Sequence, residues 1–600
     1  MTGNGLTRAV PAALICIALL TGCGSAGTQE LALAREYIQG AENVPPDYAR
    51  ALELLLPLAE KGKGEAMLEL ARLYENGLGT ERNVPEALGW YEKSAESGVA
   101  EAMSALADIY YRGEIAERDY EKALRWYKAA AETGDGAAMY TVGRMYSEGQ
   151  GAELDHGEAL VWYERAAEQG LAEAMLGLGW LYQNGCGCEA DSARALEYYE
   201  QAAAQGSLEA MSCVGWLCRD AGDYAGAAAW YTQAAEKGSV DAMYSAGWID
   251  QNAGDDTRSP SEALRWYRAA AEKGSVDAML NLAGMYLRGE DTAQDLPAAL
   301  EWYKRAANAG AKDAQYYAGW IYENGGEGLR DAANALYWYG RAADDGSTEA
   351  MKAAAELYLE EPDGESALGM YERAFDAGDA EAAYEIGRMY FSGRAIKQNV
   401  DTAISWYKKA AKLGSGQAMY AVGEIYYEGV ATVTNYPIAL DWFKKGAKEN
   451  CTDAMCALAN MYFCGLGTDH DHPAAMELYK KAGELGSAAA LAKVGDMYMN
   501  GQGAELDYAA AMEWCLRAQE LGDGDAMDDI GWMYFYGRGV EQSYSEALSW
   551  YTKAAEHGCA EGALHVAQMY SNGNGVEQSD AEITKWSRIY YELLATQPVK

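Results

Sequence analysis

The sequence predicts an all-α fold: an α-solenoid of about sixteen antiparallel helix pairs with a 36-residue period. Three observations carry that prediction. An Ala-Met pair recurs at Met67, Met103, Met139, Met175 and Met211, and its register runs on through Met243, Met279, Gln315, Met351, Ala383, Met419, Met455, Leu491, Met527 and Ala563. The step is 36 residues except for two of 32, from 211 to 243 and from 351 to 383. A Trp follows most of these positions by twenty-three residues, as at Trp90, Trp126, Trp162, Trp266 and Trp302. A Gly precedes them by five, from Gly62 and Gly98 to Gly558, with Asn450 as the one replacement. Self-similarity at such a period marks stacked supersecondary units, and 600 residues exceed one ordinary core.

In chain order, residues 1–22 read as a signal peptide: Arg8 in a polar start, a twelve-residue apolar stretch, and a cleavage-like end. Leu20-Thr21-Gly22-Cys23 resembles the bacterial lipobox, which implies lipidation of Cys23 and a chain anchored on the periplasmic or extracellular face of a membrane. That lipid is the only membrane contact expected, because no later segment approaches the apolar length of a span. Residues 23–28 are expected to form a tether, 29–592 the repeat array, with a degenerate first pair over 29–62, and 593–600 a short tail.

Each unit is expected to hold two helices. In Glu65–Tyr74 the residues Met67, Leu70, Ala71 and Tyr74 recur at offsets of three and four, one apolar stripe of a helix. Pro85–Ala95 repeats the pattern for the second helix. Seven residues before each second-helix Trp position stands Asn, Asp or Ser (Asn83, Asp119, Asp155 and onward to Ser543 and Ser579), an N-cap worth about 1 kcal/mol. Glu86, Glu158, Glu262, Glu546 and Glu582 follow three residues later, the spacing of a capping box. The exit glycines fit a left-handed C′ position, and Asn450 is the next best residue for that backbone.

Tyr74-Glu75-Asn76-Gly77-Leu78-Gly79 and Ala87-Leu88-Gly89-Trp90-Tyr91 resemble the Sel-one-like repeat family, relatives of tetratricopeptide repeats, over about residues 29–592. Cys218, Asp250, Met370 and Leu478 depart from its pattern. The resemblance implies a right-handed superhelix whose concave face is lined by first helices, and a role in binding and scaffolding.

The formal charge of −43 argues against a nucleic-acid partner, which needs basic surface. Glycine-rich turns such as Gly149-Gln150-Gly151 join two helices and lack the Lys-Ser/Thr of a phosphate loop. Asp469-His470-Asp471-His472 has metal-ligand types, but Asp471 occupies the N-cap slot, so a solvated turn is expected and no metal. No catalytic set and no cofactor are expected. Nine Cys follow Cys23; a Cys188–Cys218 bridge between neighbouring units is plausible in repeat register, and Cys451 and Cys559 fall in first-helix N-cap slots that favour a thiolate.

Twelve of seventeen Trp belong to second helices. Trp180, Trp216, Trp248, Trp320 and Trp532 instead lie on first helices, in a slot held elsewhere by Arg72, Asp108, Arg144 or Glu356. Tyr140, Tyr244 and Tyr316 share that helical face four residues earlier. Tyr140, Arg144, Trp180, Trp216, Tyr244, Trp248, Tyr316 and Trp320 are therefore the candidate binding residues. Either these rings form an aromatic platform or they pack between units as core. The expected function is a non-enzymatic envelope scaffold for a protein or peptide; the alternative is a peptidoglycan or glycan-fragment binder.

Overall fold

The computed structural model describes residues 26–40, 45–254, 259–289, 292–430 and 433–596. The expected signal peptide of residues 1–22 and the expected lipidation site Cys23 lie outside the described residues. Among the described residues every regular element is helical. There are 32 helices, each 13 residues long except the first, Ala26–Gln39, and the last, Asp580–Thr596. Helix thus begins three residues ahead of the predicted array and runs into the predicted tail. Residues up to Trp302 form one compact unit and those from Tyr303 a second.

Within each unit consecutive helices pack as an antiparallel-type pair, first helix then second, as in Gly64–Asn76 with Val84–Glu96. Of the stripe read from sequence, Met67, Leu70 and Ala71 are buried and Tyr74 is half-buried; Leu73 is buried as well, as are Trp90, Tyr91 and Ala95 of the second helix. Each fully buried Leu contributes about 1.5–3 kcal/mol, and the fully buried Ala positions let backbones approach. In the second unit the same positions gather Phe443, Met455, Leu458, Met476, Tyr479 and Met497 into one cluster. Many second-helix Trp rings are capped by a cation three residues on, such as Lys93 at 4.2 Å from Trp90 and Arg165 at 4.5 Å from Trp162.

The helix boundaries follow the caps. Asp119 Oδ1 accepts from Lys122 N at 3.0 Å and Asp331 Oδ1 from Asn334 N at 3.0 Å, and the same bond recurs down the chain. Ser259 alone among these N-caps lacks it. Every exit glycine from Gly62 to Gly558 has positive φ, and Asn450 takes the same left-handed backbone at φ 59°. The 32-residue steps are explained by the turn inside the pair: residues 77–83 join an ordinary pair, whereas 221–223 and 361–363 suffice in the shortened ones.

The capping boxes at Glu86, Glu158, Glu262 and Glu546 do not form as expected. The backbone N–H they would satisfy is donated elsewhere: Asn83 N to Tyr74 O, Asp155 N to Tyr146 O, Ser259 N to Asp250 O and Ser543 N to Tyr534 O, at 2.8–3.0 Å. That bond pins the start of the second helix to the last turn of the first and leaves Glu86, Glu158, Glu262 and Glu546 nothing to cap.

Candidate binding site on the first-helix face

Positions on a first helix are numbered here from its Met-register residue, so that Tyr140 is in slot 1 and Arg144 in slot 5 of the helix Gly136–Glu148. The two aromatic slots have different fates. Tyr140, Tyr244, Tyr316, Tyr384 and Tyr420, all in slot 1, are half-buried. Each packs on the aromatic ring of its own second helix, Tyr163, Tyr267, Tyr339, Tyr407 or Phe443, with centroids 5.6–5.8 Å apart. Slot 5 points outward: Trp180 is 47% exposed, Trp216 39% and Trp320 37%. Trp248 is half-buried under the Arg219 guanidinium, 5.5 Å from its ring. Slot 5 is thus the more exposed aromatic slot, while the slot-1 rings pack within their own helix pair rather than between neighbouring units.

The structure brings three of the predicted residues into one cavity. Tyr140, Arg144 and Trp180 line a space of about 390 Å³ between the helices Gly136–Glu148 and Ala172–Asn184, with Leu176 and Leu181 as its apolar wall. Tyr163 and Tyr199 close it from the second helices, and Glu209 and Cys213 reach it from the next first helix. Arg144 is its only cation. Nη2 donates to Tyr111 Oη at 3.0 Å, and Nε lies 3.7 Å from Glu148 Oε1, buried without a hydrogen bond. Glu148, Glu173 and Glu209 place three carboxylates on the rim, so the lining is net acidic. Burial raises the Tyr140 and Tyr163 phenols and the Cys213 thiol above their ordinary values, which keeps all three neutral.

The other predicted residues lie apart. Trp216, Tyr244 and Trp248 continue the first-helix face of the first unit without lining this cavity. Tyr316 and Trp320 belong to the second unit, where Tyr316 lines a separate space of about 440 Å³ with Lys312, Tyr317 and Glu349. Glu173, Glu209, Tyr163, Tyr199 and Cys213 were absent from the sequence reading. Their signal was the register itself: Glu173 and Glu209 both stand two residues before a Met position, and Cys213 stands in slot 2.

Two cysteine expectations are corrected. Cys188 and Cys218 are free thiols. Cys188 Sγ sits in its own turn, 3.8 Å from Leu181 O and Cys186 O, and the shortened pair that carries Cys218 has no matching turn to face it. Cys451 and Cys559 are buried and make no capping bond. Desolvation raises both thiols and outweighs the helix N-terminus, so neither is a thiolate. At the His-rich turn, Asp471 caps Ala474 N at 3.0 Å and His470 Nδ1 pairs with Phe463 O at 2.8 Å, the solvated turn that was expected. Gly149 and Gly151 are left-handed turn residues between helices.

A family model, the Sel1 repeat, matches sixteen successive segments, beginning with residues 30–63, 64–99, 100–135 and 136–171 and ending with 560–598. No curated protein matches the chain. Among solved structures, a protective antigen of uropathogenic Escherichia coli with an SLR fold is 27% identical, with 92% of this chain and 98% of that one covered and a TM-score of 0.44. A Sel1 repeat protein from Oxalobacter formigenes is 28% identical over 39% of this chain and 99% of its own, TM-score 0.35. Yeast Tom70 is 14% identical over 82% and 99%, TM-score 0.32.

Proposed function

Because this chain belongs to the Sel1 repeat family, whose repeats typically mediate protein–protein interaction, we propose that it is a non-enzymatic scaffold that binds a peptide segment on its first-helix face. The observation that carries this reading is the cavity at Tyr140, Arg144 and Trp180. An exposed indole beside apolar Leu176 and Leu181 offers a stacking surface, and three rim carboxylates against one guanidinium favour a basic side chain next to an apolar one. Charged lining suits a peptide better than an uncharged sugar, so the glycan alternative is not assigned to this cavity.

The proposal includes the location. Cleavage before Cys23 and lipidation of its thiol would hold the array at an envelope membrane, with the peptide partner outside the cytoplasm. Labelling with radioactive palmitate tests this: label on the native chain and none on Cys23→Ala is expected, and equal label on both refutes it.

The binding claim is tested by selecting a displayed random-peptide library on the full chain. Enriched peptides are expected to carry Lys or Arg beside an aromatic or aliphatic residue, and to lose about tenfold or more in affinity on Trp180→Ala. Acidic consensus sequences, or binding unchanged by Trp180→Ala, refute it.

A further inference from the structure

The second unit holds a cavity of different chemistry. It measures about 320 Å³, at the lower end of ligand pockets (about 300–1,000 Å³), and lies on the first-helix face between Gly524–Tyr536 and Ala560–Asn572. Trp532, Tyr536, His565, Gln568 and Asn572 line it, and no Lys, Arg, Asp or Glu does.

One wall is aromatic. Trp532 and Tyr536 stand a helical turn apart with ring centroids at 5.0 Å, and Tyr536 is more than half exposed. The floor is Tyr551, on which the His565 imidazole lies at 4.7 Å. His565 Nδ1 is 2.7 Å from Asp528 Oδ1. The carboxylate accepts the Nδ1 proton there, which orients the ring and leaves Nε2 as its other hydrogen-bonding group. The opposite wall is a row of neutral amides. Gln568 and Asn572 lie one turn apart on the adjacent first helix, both exposed, and each offers two donors and an acceptor.

A charged ligand would find no counter-charge in this lining, and a purely apolar one would leave the amides unpaired at a cost. A sugar ring meets both walls: its C–H face stacks on an indole, and its hydroxyls pair with amides and imidazole. We propose that this cavity binds a glycan through one or two uncharged pyranose rings, independently of the peptide site in the first unit.

Calorimetric titration of the full chain with di-N-acetylchitobiose and with cellobiose tests this. At least one is expected to bind with Kd below about 1 mM. The double variant Gln568→Ala/Asn572→Ala, at two exposed positions, is expected to weaken that binding about tenfold or more with an unchanged melting temperature; Trp532→Ala, at a half-buried ring, is expected to weaken it as much while also lowering the melting temperature. Trp180→Ala should leave it intact, which separates this site from the peptide cavity. No heat from either sugar up to about 10 mM, binding indifferent to the amide variants, or tetramethylammonium binding here in place of both sugars would overturn the proposal.

Discussion

Gly143→Ala is expected to destabilise the chain, although Ala is the better helix former by about 1 kcal/mol. Gly143 is in slot 4 of Gly136–Glu148, and a Cβ there would lie 2.6 Å from Tyr163 Cδ1 and 3.2 Å from Ala159 O. The Tyr163 ring is buried, stacked against Tyr140 and closed at its opposite edge by Gly177, where a Cβ would lie 2.9 Å from Cε2, so it has little room to retreat. Overpacking of this kind costs about 1–3 kcal/mol, which cancels or exceeds the helical gain. Gly89→Ala is the control: it is also mid-helix, with nothing within 4 Å of the added methyl, and should stabilise by about 0.5–1 kcal/mol. The repeats supply the rescue. All five slot-1 tyrosines are followed by Gly in slot 4; Leu68 and Leu280 are followed by Ala71 and Ala283, although Leu176 keeps Gly179. Tyr140→Leu should therefore relieve Gly143→Ala, with a favourable coupling of about 1 kcal/mol or more. Native-state hydrogen exchange in Gly136–Glu148 reads these effects locally, which suits an array whose repeats need not unfold together. Stabilisation by Gly143→Ala equal to that of Gly89→Ala, or strict additivity in the double variant, would refute the reasoning.

Asn450→Gly should be neutral or mildly stabilising and Asn450→Ala should cost about 1–2 kcal/mol, measured by denaturant melting, because φ is 59° there. Asp119→Ala should lose about 1 kcal/mol, read as faster exchange in the first turn of Tyr120–Glu132. Asp529 is pushed up to about 8 by burial, with the Asp496 and Asp528 carboxylates adding to it. Its folded pKa exceeds the unfolded value near about 4, so the stability it contributes is present below about pH 4 and is lost as pH rises through about 8; Asp529→Asn should flatten that slope in melts across the range.

Local rules were legible because the repeat prints them many times. Asn450 in a glycine slot announced a backbone requirement, and the structure gives it the left-handed φ of the glycines. Ala395, the other non-Gly residue at positive φ, shows the same logic in reverse: it stands where other turns place a second Gly, and its neighbour in the preceding pair is Gly364, whose missing side chain leaves it room. The capping boxes misled because sequence spacing does not reveal that the Asn83 amide is already bonded to Tyr74 O, nine residues back. The N-cap thiols Cys451 and Cys559 misled because burial depends on the neighbouring pair, and here desolvation dominates. The aromatic face was located by register, but which slot is exposed depends on where the second-helix ring lies, as Tyr163 does beneath Tyr140. The rim carboxylates Glu173 and Glu209 come from a third slot that the aromatic pattern does not point to.

The central claim is that the first-helix face of the first unit binds the peptide partner. Hydrogen-exchange footprinting of the full chain with a library-selected peptide tests it most directly. Protection is expected in Gly136–Glu148 and Ala172–Asn184, and it should vanish with Trp180→Ala. Protection confined to second helices such as His156–Glu168, or a footprint unchanged by that substitution, would contradict it.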